Sequence, residues 1–204
     1  MYRKLLSKSF FKNNPIEELS AQDIAYNFVL FEKSGISEEV DHLVAKEQPE
    51  RKEVADKVTE LILATDTANS VLRFLRKPAD IFNRETLLKH ALKFQSELMP
   101  KVKKMLITSG NESFIENAYR LLIRCDKNYS NELLSDFDNI RDPYVQSLVC
   151  IIMGFRAEEE IIPWMYDKFF KFQKLYPDET YEQGPLLALH ELNYRFYSKD
   201  GAQN

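Results

Sequence analysis

The stretch ESFIENAYRLLIRC, residues 112–125, set above DPYVQSLVCIIMGF, residues 142–155, decides the fold. In that register Phe114 falls on Tyr144, Ile115 on Val145, Leu121 on Ile151, Leu122 on Ile152 and Ile123 on Met153. Helical periodicity alone would align apolar positions, so the polar matches, Glu116 on Gln146 and Asn117 on Ser147, carry more of the argument. Both segments read as amphipathic helices related by a repeat.

Working outward, Glu97-Leu98-Met99-Pro100 lies over Glu160-Ile161-Ile162-Pro163, and Val102, Leu106 and Ile107 lie over Met165, Phe169 and Phe170. A proline near a helix start is tolerated, because the first backbone N–H groups have no acceptor within the helix. The acidic run Glu158-Glu159-Glu160 suits the positive end of the helix that follows. Between these segments a shorter helix is predicted over residues 130–140. The two matches together give a period of about 31 residues, and helix–turn–helix units at such a period mark an α-solenoid.

Asp142-Pro143-Tyr144-Val145, then Ile151-Ile152-Met153-Gly154, then Glu160-Ile161-Ile162-Pro163, resembles a HEAT-type repeat unit. The resemblance spans about residues 84–198, complete in one unit and partial in two. The turn after Cys125 lacks the glycine of the pattern, and the 130–140 helix lacks the proline. It implies an all-α, right-handed α-α superhelix of helical hairpins, whose second helices line the concave side. A family of this kind is defined by packing, so it argues for fold more than for activity.

The rest of the chain completes a helical reading. Five glycines in 204 residues leave few chain reversals for hairpins, and Leu, Ile, Lys, Glu and Ala favour helix. Residues 1–19 form a basic arm, 20–80 a helical region expected to pack on the repeats, 81–198 the repeat domain and 199–204 a tail. Helices are predicted to start at Ser20 and Ser37, with Ile24, Phe28 and Phe31, then Val40, Leu43 and Val44, expected to face inward. Val54, Val58, Leu61, Thr65, Ala68, Leu72 and Leu75 form a heptad-like stripe. Its polar centre, Thr65-Asp66-Thr67, predicts a stop and a new N-cap, hence two helices rather than a coiled coil. The last helix follows Gly184-Pro185, with Leu186, Leu189, Leu192 and Phe196 predicted to cover the open end of the stack.

Function is less legible. A net charge of −4 argues against a generally basic nucleic-acid binder while leaving room for a local basic face. Arg3, Lys4, Lys8 and Lys12 supply one in the arm, where Leu5, Leu6, Phe10 and Phe11 also allow a membrane-surface contact. The chain has no apolar run of membrane-spanning length and no continuous apolar leader, so a cytoplasmic setting with reduced, buried Cys125 and Cys150 is expected. His42, His90 and His190 show no ligand spacing, so neither metal nor cofactor is expected. No phosphate loop, nucleophile elbow or dinucleotide fingerprint is present. Asp136 with Asp138, and His190 with Glu191, are the remaining polar pairings, and solvated faces account for them.

Trp164, the only tryptophan, stands beside the core stripe Met165, Phe169, Phe172 and Tyr176, in company with Lys168 and Lys171. An aromatic flanked by lysines toward solvent suits a binding hot spot, although packing between repeats explains Trp164 equally well. The reading is therefore a non-enzymatic scaffold binding a protein partner through its repeat groove. The first alternative is a nucleic-acid binder using the arm and lysine-rich helix faces such as Lys101, Lys103 and Lys104, and an enzyme of unrecognised type is the third reading.

Overall fold

The computed structural model describes residues 45–46 and 48–197. The arm with Arg3, Lys4, Lys8 and Lys12, the helices expected from Ser20 and Ser37, and His42 lie outside the described residues. Among those described the chain is all-helical, with no strand. In chain order the helices are α1 (Pro49–Leu63), α2 (Ala68–Leu75), α3 (Ile81–Leu92), α4 (Gln95–Leu106), α5 (Glu112–Arg124), α6 (Lys127–Ser135), α7 (Pro143–Arg156), α8 (Ile162–Leu175) and α9 (Gln183–Tyr197). Short 3-10 turns, Phe137–Asn139 and Glu159–Ile161, precede α7 and α8.

Two compact units divide these residues: α1 as far as Leu61 with residues 80–85, and residues 62–79 with 86–197. In the first, Arg51 pairs with Asp80 at 2.6 Å and the Lys52 ammonium lies 5.7 Å from the Phe82 ring. α2 belongs to the second unit, although the sequence reading grouped it with the N-terminal region.

The break at Thr65-Asp66-Thr67 is present. The Thr65 hydroxyl donates to the Ile62 carbonyl at 2.7 Å, and the Thr67 side chain accepts from the Ser70 N–H at 3.2 Å to start α2. The inward stripe of α1 differs by one residue from the predicted one. Ala55 and Ile62 are buried, whereas Val54 and Leu61 are exposed. One residue turns a helix face by about 100°. In α2 the buried set is Ala68, Val71 and Leu75.

Within the second unit α7 packs on both α5 and α9, while α4 packs on α5 and on α6. Side-chain caps define the starts of α5 and α7: Asn111 accepts from Phe114 N–H at 2.8 Å and Asp142 from Tyr144 N–H at 2.9 Å. Pro143 occupies the first turn of α7, where no intrahelical N–H bond is lost. The helix ends are tied by arginines from the next helix of the row. Arg156 of α7 donates to the carbonyl of Cys125, which terminates α5. Arg195 of α9 donates to the carbonyls of Gly154 and Ala157, both at 2.9 Å, at the end of α7. A cation at the carbonyl end of a helix meets unsatisfied acceptors and the negative end of the dipole together.

Of the polar pairs matched in the sequence, Asn117 and Ser147 are buried and bonded, while Glu116 and Gln146 are half-buried. Asn117 donates its side-chain amide to the carbonyls of Leu75 and Lys77 at 3.1 and 3.0 Å, just past the body of α2. Ser147 donates its hydroxyl to the Tyr181 carbonyl at 2.7 Å, ahead of α9. Each fastens its helix to a neighbouring chain segment through a backbone carbonyl at a helix end, where fewer intrahelical donors are at hand.

Three boundaries depart from expectation. The helix predicted over residues 130–140 runs Lys127–Ser135, because the chain must turn for Phe137 to tuck its ring inward. Pro100 is the sixth residue of α4, whereas Pro163 is the second of α8. The intrahelical bond that Pro100 removes would have ended on the carbonyl of Ser96, an exposed residue whose carbonyl water can serve. On α9 only Leu192 of the four predicted apolar residues is buried; Gly184, Pro185, Ala188 and Glu191 are the others turned inward. Small residues set this face. A Cβ placed on Gly184 would lie 2.2 Å from the Ser147 carbonyl oxygen, and one on Gly154 would lie 2.5 Å from Ala188 Cα. α7 and α9 therefore approach backbone to backbone, which leaves Leu186 on the outside.

Candidate interaction face

α8 carries the sequence-derived candidates and places them differently from expectation. Trp164 is half-buried, its ring meeting Phe137 edge-to-face at 4.9 Å and 81°. Lys168 is only 7% exposed. Its ammonium sits 5.1 Å from the Trp164 ring and 5.2 Å from Phe137, with the Asp167 carboxylate at 3.6 Å. Four residues separate Trp164 and Lys168, so one helix face presents both to the 3-10 turn that carries Phe137. The negative faces of the two rings take over part of the solvation that burial removes. Trp164 and Lys168, read from the sequence as facing solvent or a groove with packing an equal alternative for Trp164, form a cation–aromatic cluster with Phe137 in which Lys168 is buried and Trp164 half-buried. Lys171 is exposed, as expected. Of the predicted core stripe Met165 and Phe172 are buried, while Phe169 and Tyr176 are half-buried.

The exposed aromatic pair on α8 is Tyr166 and Phe170, 51% and 62% exposed. Phe169 supports Phe170 edge-to-face at 5.3 Å. Pro163 and Asp167 flank this stripe toward the helix start, and Lys171 and Lys174 toward its end; all four are exposed. The sequence reading missed Tyr166 and Phe170. The available signal was their spacing of four, one position off the core stripe, where an aromatic has no structural need to be.

The other candidates among the described residues have separate surroundings. Lys101 donates to Asn69 at 2.6 Å, and buried Lys103 pairs with Glu132, so of the three α4 lysines only Lys104 stands exposed and without such a tie. Burial lowers the Lys103 pKa, against the opposing pull of Asp136 and Cys125. Burial pushes the Cys125 thiol up to about 11, with Arg156 opposing, and raises that of Cys150 further, with Lys168 opposing. Thiols so shifted are poor nucleophiles. His90 contacts both the hydroxyl and the carbonyl of Thr65 at 3.0 Å and meets Phe94 edge-on, which makes it a structural clasp at the α1–α2 break. His190 is exposed and Glu191 buried, so the two adjacent side chains occupy different environments. Among the described residues no three His, Cys, Asp or Glu side chains form a group able to hold a metal ion. None of the described helices is long and apolar enough to cross a membrane. An open cleft of about 650 Å³ is lined by Thr108, Ser109, Asp138, Asn139, Arg141 and Asp142. Its carboxylates are solvated, and Asp142 is occupied in capping α7.

No protein-family model matches the chain, and neither curated proteins nor solved structures include a significant match to it.

Proposed function

We propose that the chain is a non-enzymatic, HEAT-like helical-repeat scaffold, a right-handed α-α superhelix that binds a protein through the outer face of α8. The observation that carries the binding reading is the exposed pair Tyr166 and Phe170, bordered by Lys171 and Lys174. Exposed aromatics beside cations are the residue types that dominate protein interfaces, because they bury large area with few rotatable bonds. The repeat reading draws support from the recurring ties along one row, where Arg156 caps α5 and Arg195 caps α7. Repetition of a packing device at corresponding helix ends is what stacked units need. The buried thiols Cys125 and Cys150 suit a reducing, cytoplasmic setting.

For the nucleic-acid alternative, Lys101 and Lys103 are engaged by Asn69 and Glu132, which leaves Lys104 of the three α4 lysines. Tagged protein incubated with native lysate, with and without nuclease, separates the two. Scaffold function requires a retained protein that resists nuclease and is lost with Phe170→Asp. Capture that vanishes with nuclease, or that is indifferent to Phe170→Asp, overturns the reading.

A further inference from the structure

The charge along the exposed face of α8 is ordered. Asp167 lies toward the N-terminal end with the acidic turn Glu159–Ile161 before it, and Lys171 and Lys174 lie toward the C-terminal end. Phe170, the most exposed aromatic, sits between them, with Tyr166 four residues before it and Lys174 four residues after. Four residues of helix span about 6 Å. An antiparallel two-fold arrangement centred on Phe170 therefore sets Phe170 against its counterpart and brings each Lys174 to the level of Tyr166 of the other copy, within reach of its long side chain. The same operation brings each Asp167 within about one residue rise, roughly 1.5 Å along the axis, of the opposing Lys174. A parallel arrangement would instead stack lysine on lysine.

We propose that the partner of this face is a second copy of the chain, joined through an antiparallel α8–α8 contact centred on Phe170. This rests on the reading of the α8 face as an interaction surface and names its occupant. An isologous contact needs a surface complementary to itself, and anionic, aromatic and cationic segments in that order meet the requirement only when antiparallel. Lys174 then gains an aromatic face and a carboxylate together, and the helix dipoles oppose. One helix pair is a small interface, so dissociation falls in roughly the 10–100 μM range.

Sedimentation equilibrium of the purified 204-residue chain, taken up to about 0.5 mM, tests this. A monomer–dimer equilibrium is expected, abolished by Phe170→Asp and weakened at least about tenfold by Asp167→Lys or by Lys174→Glu. The double variant Asp167→Lys with Lys174→Glu restores opposite charges across the axis, and is expected to dimerise at least about threefold more tightly than either single variant. All three side chains are exposed, but Asp167 also lies 3.6 Å from the buried Lys168 ammonium, so Lys174→Glu is the cleaner charge test and circular dichroism of each variant must match the parent before its dimerisation is compared. A monomer at every concentration overturns the proposal, as does dimerisation unaffected by Phe170→Asp, or a double variant no tighter than the single ones. If the purified chain is monomeric and still captures a protein through Phe170, the self-pairing fails and the scaffold reading stands.

Discussion

Replacing Gly154 by alanine asks whether α7 and α9 really meet backbone to backbone, because two physical effects give opposite signs. Gly154 lies inside α7, where alanine is favoured over glycine by about 1 kcal/mol on helix propensity alone. If α9 stood at an ordinary distance, the substitution would stabilise the protein by up to that amount. The new Cβ instead falls 2.5 Å from Ala188 Cα, 2.8 Å from its Cβ and 3.1 Å from its carbonyl oxygen. Carbon atoms at rest lie about 3.5–4.0 Å apart, so α9 must retreat by about 1 Å, and its backbone cannot rotate aside as a side chain could. Overpacking of this kind costs roughly 1–3 kcal/mol, and the shift would also stretch the bonds from Arg195 to the Gly154 and Ala157 carbonyls. Against the propensity gain, a net loss of about 1 kcal/mol is expected. With a urea slope of about 2 kcal/mol per molar, the midpoint should fall by about 0.5 M. Urea unfolding followed by far-ultraviolet circular dichroism and by Trp164 fluorescence reads this directly. A variant as stable as the parent, or more so, refutes the close approach. Gly184→Ala serves as a second test on the same helix pair, since its Cβ would meet the Ser147 carbonyl oxygen at 2.2 Å.

Two further outcomes follow from buried polar groups. Asn117→Ala removes the donor shared by the Leu75 and Lys77 carbonyls and should cost about 1–3 kcal/mol, read as a lowered thermal midpoint; an unchanged midpoint would mean that water already serves those carbonyls. The Cys125 thiol ionises at about 11 in the folded chain against an ordinary 9.0, and that of Cys150 is raised as well. Both should resist a thiol reagent at pH 8 until the protein unfolds. A group raised on folding contributes stability that is fully present below its unfolded value and is lost above it. Stability should therefore decline as pH rises from about 9 toward 11, and urea midpoints across that range, compared with those of Cys125→Ala, check the sign.

Helix content, the break at Thr65-Asp66-Thr67 and the starts of α5 and α7 were legible because they depend on neighbours within a turn or two. Capping is a bond between a side chain and a backbone N–H two or three residues on, so Thr67 and Asp142 announce themselves in the sequence. The matched polar positions Asn117 and Ser147 were also visible as a pattern, but their acceptors were not. The carbonyls of Leu75, Lys77 and Tyr181 come to them only through folding.

The exposed face of α8 shows the same division from the functional side. Periodicity places Trp164 and Lys168 on one face, yet whether that face meets water depends on where Phe137 lands, a residue from another segment. Once Phe137 fills that side, the exposed aromatics are Tyr166 and Phe170. Likewise Leu186 reads as core by hydrophobicity, and the fit of Gly184 and Ala188 against Ser147 and Gly154 turns it outward. By itself the sequence determined which segments are helical and where they are capped, since those preferences are local. Which face of each helix is buried was decided by tertiary structure, because side-chain volume on a neighbouring helix sets how closely two backbones approach and therefore which residues remain outside.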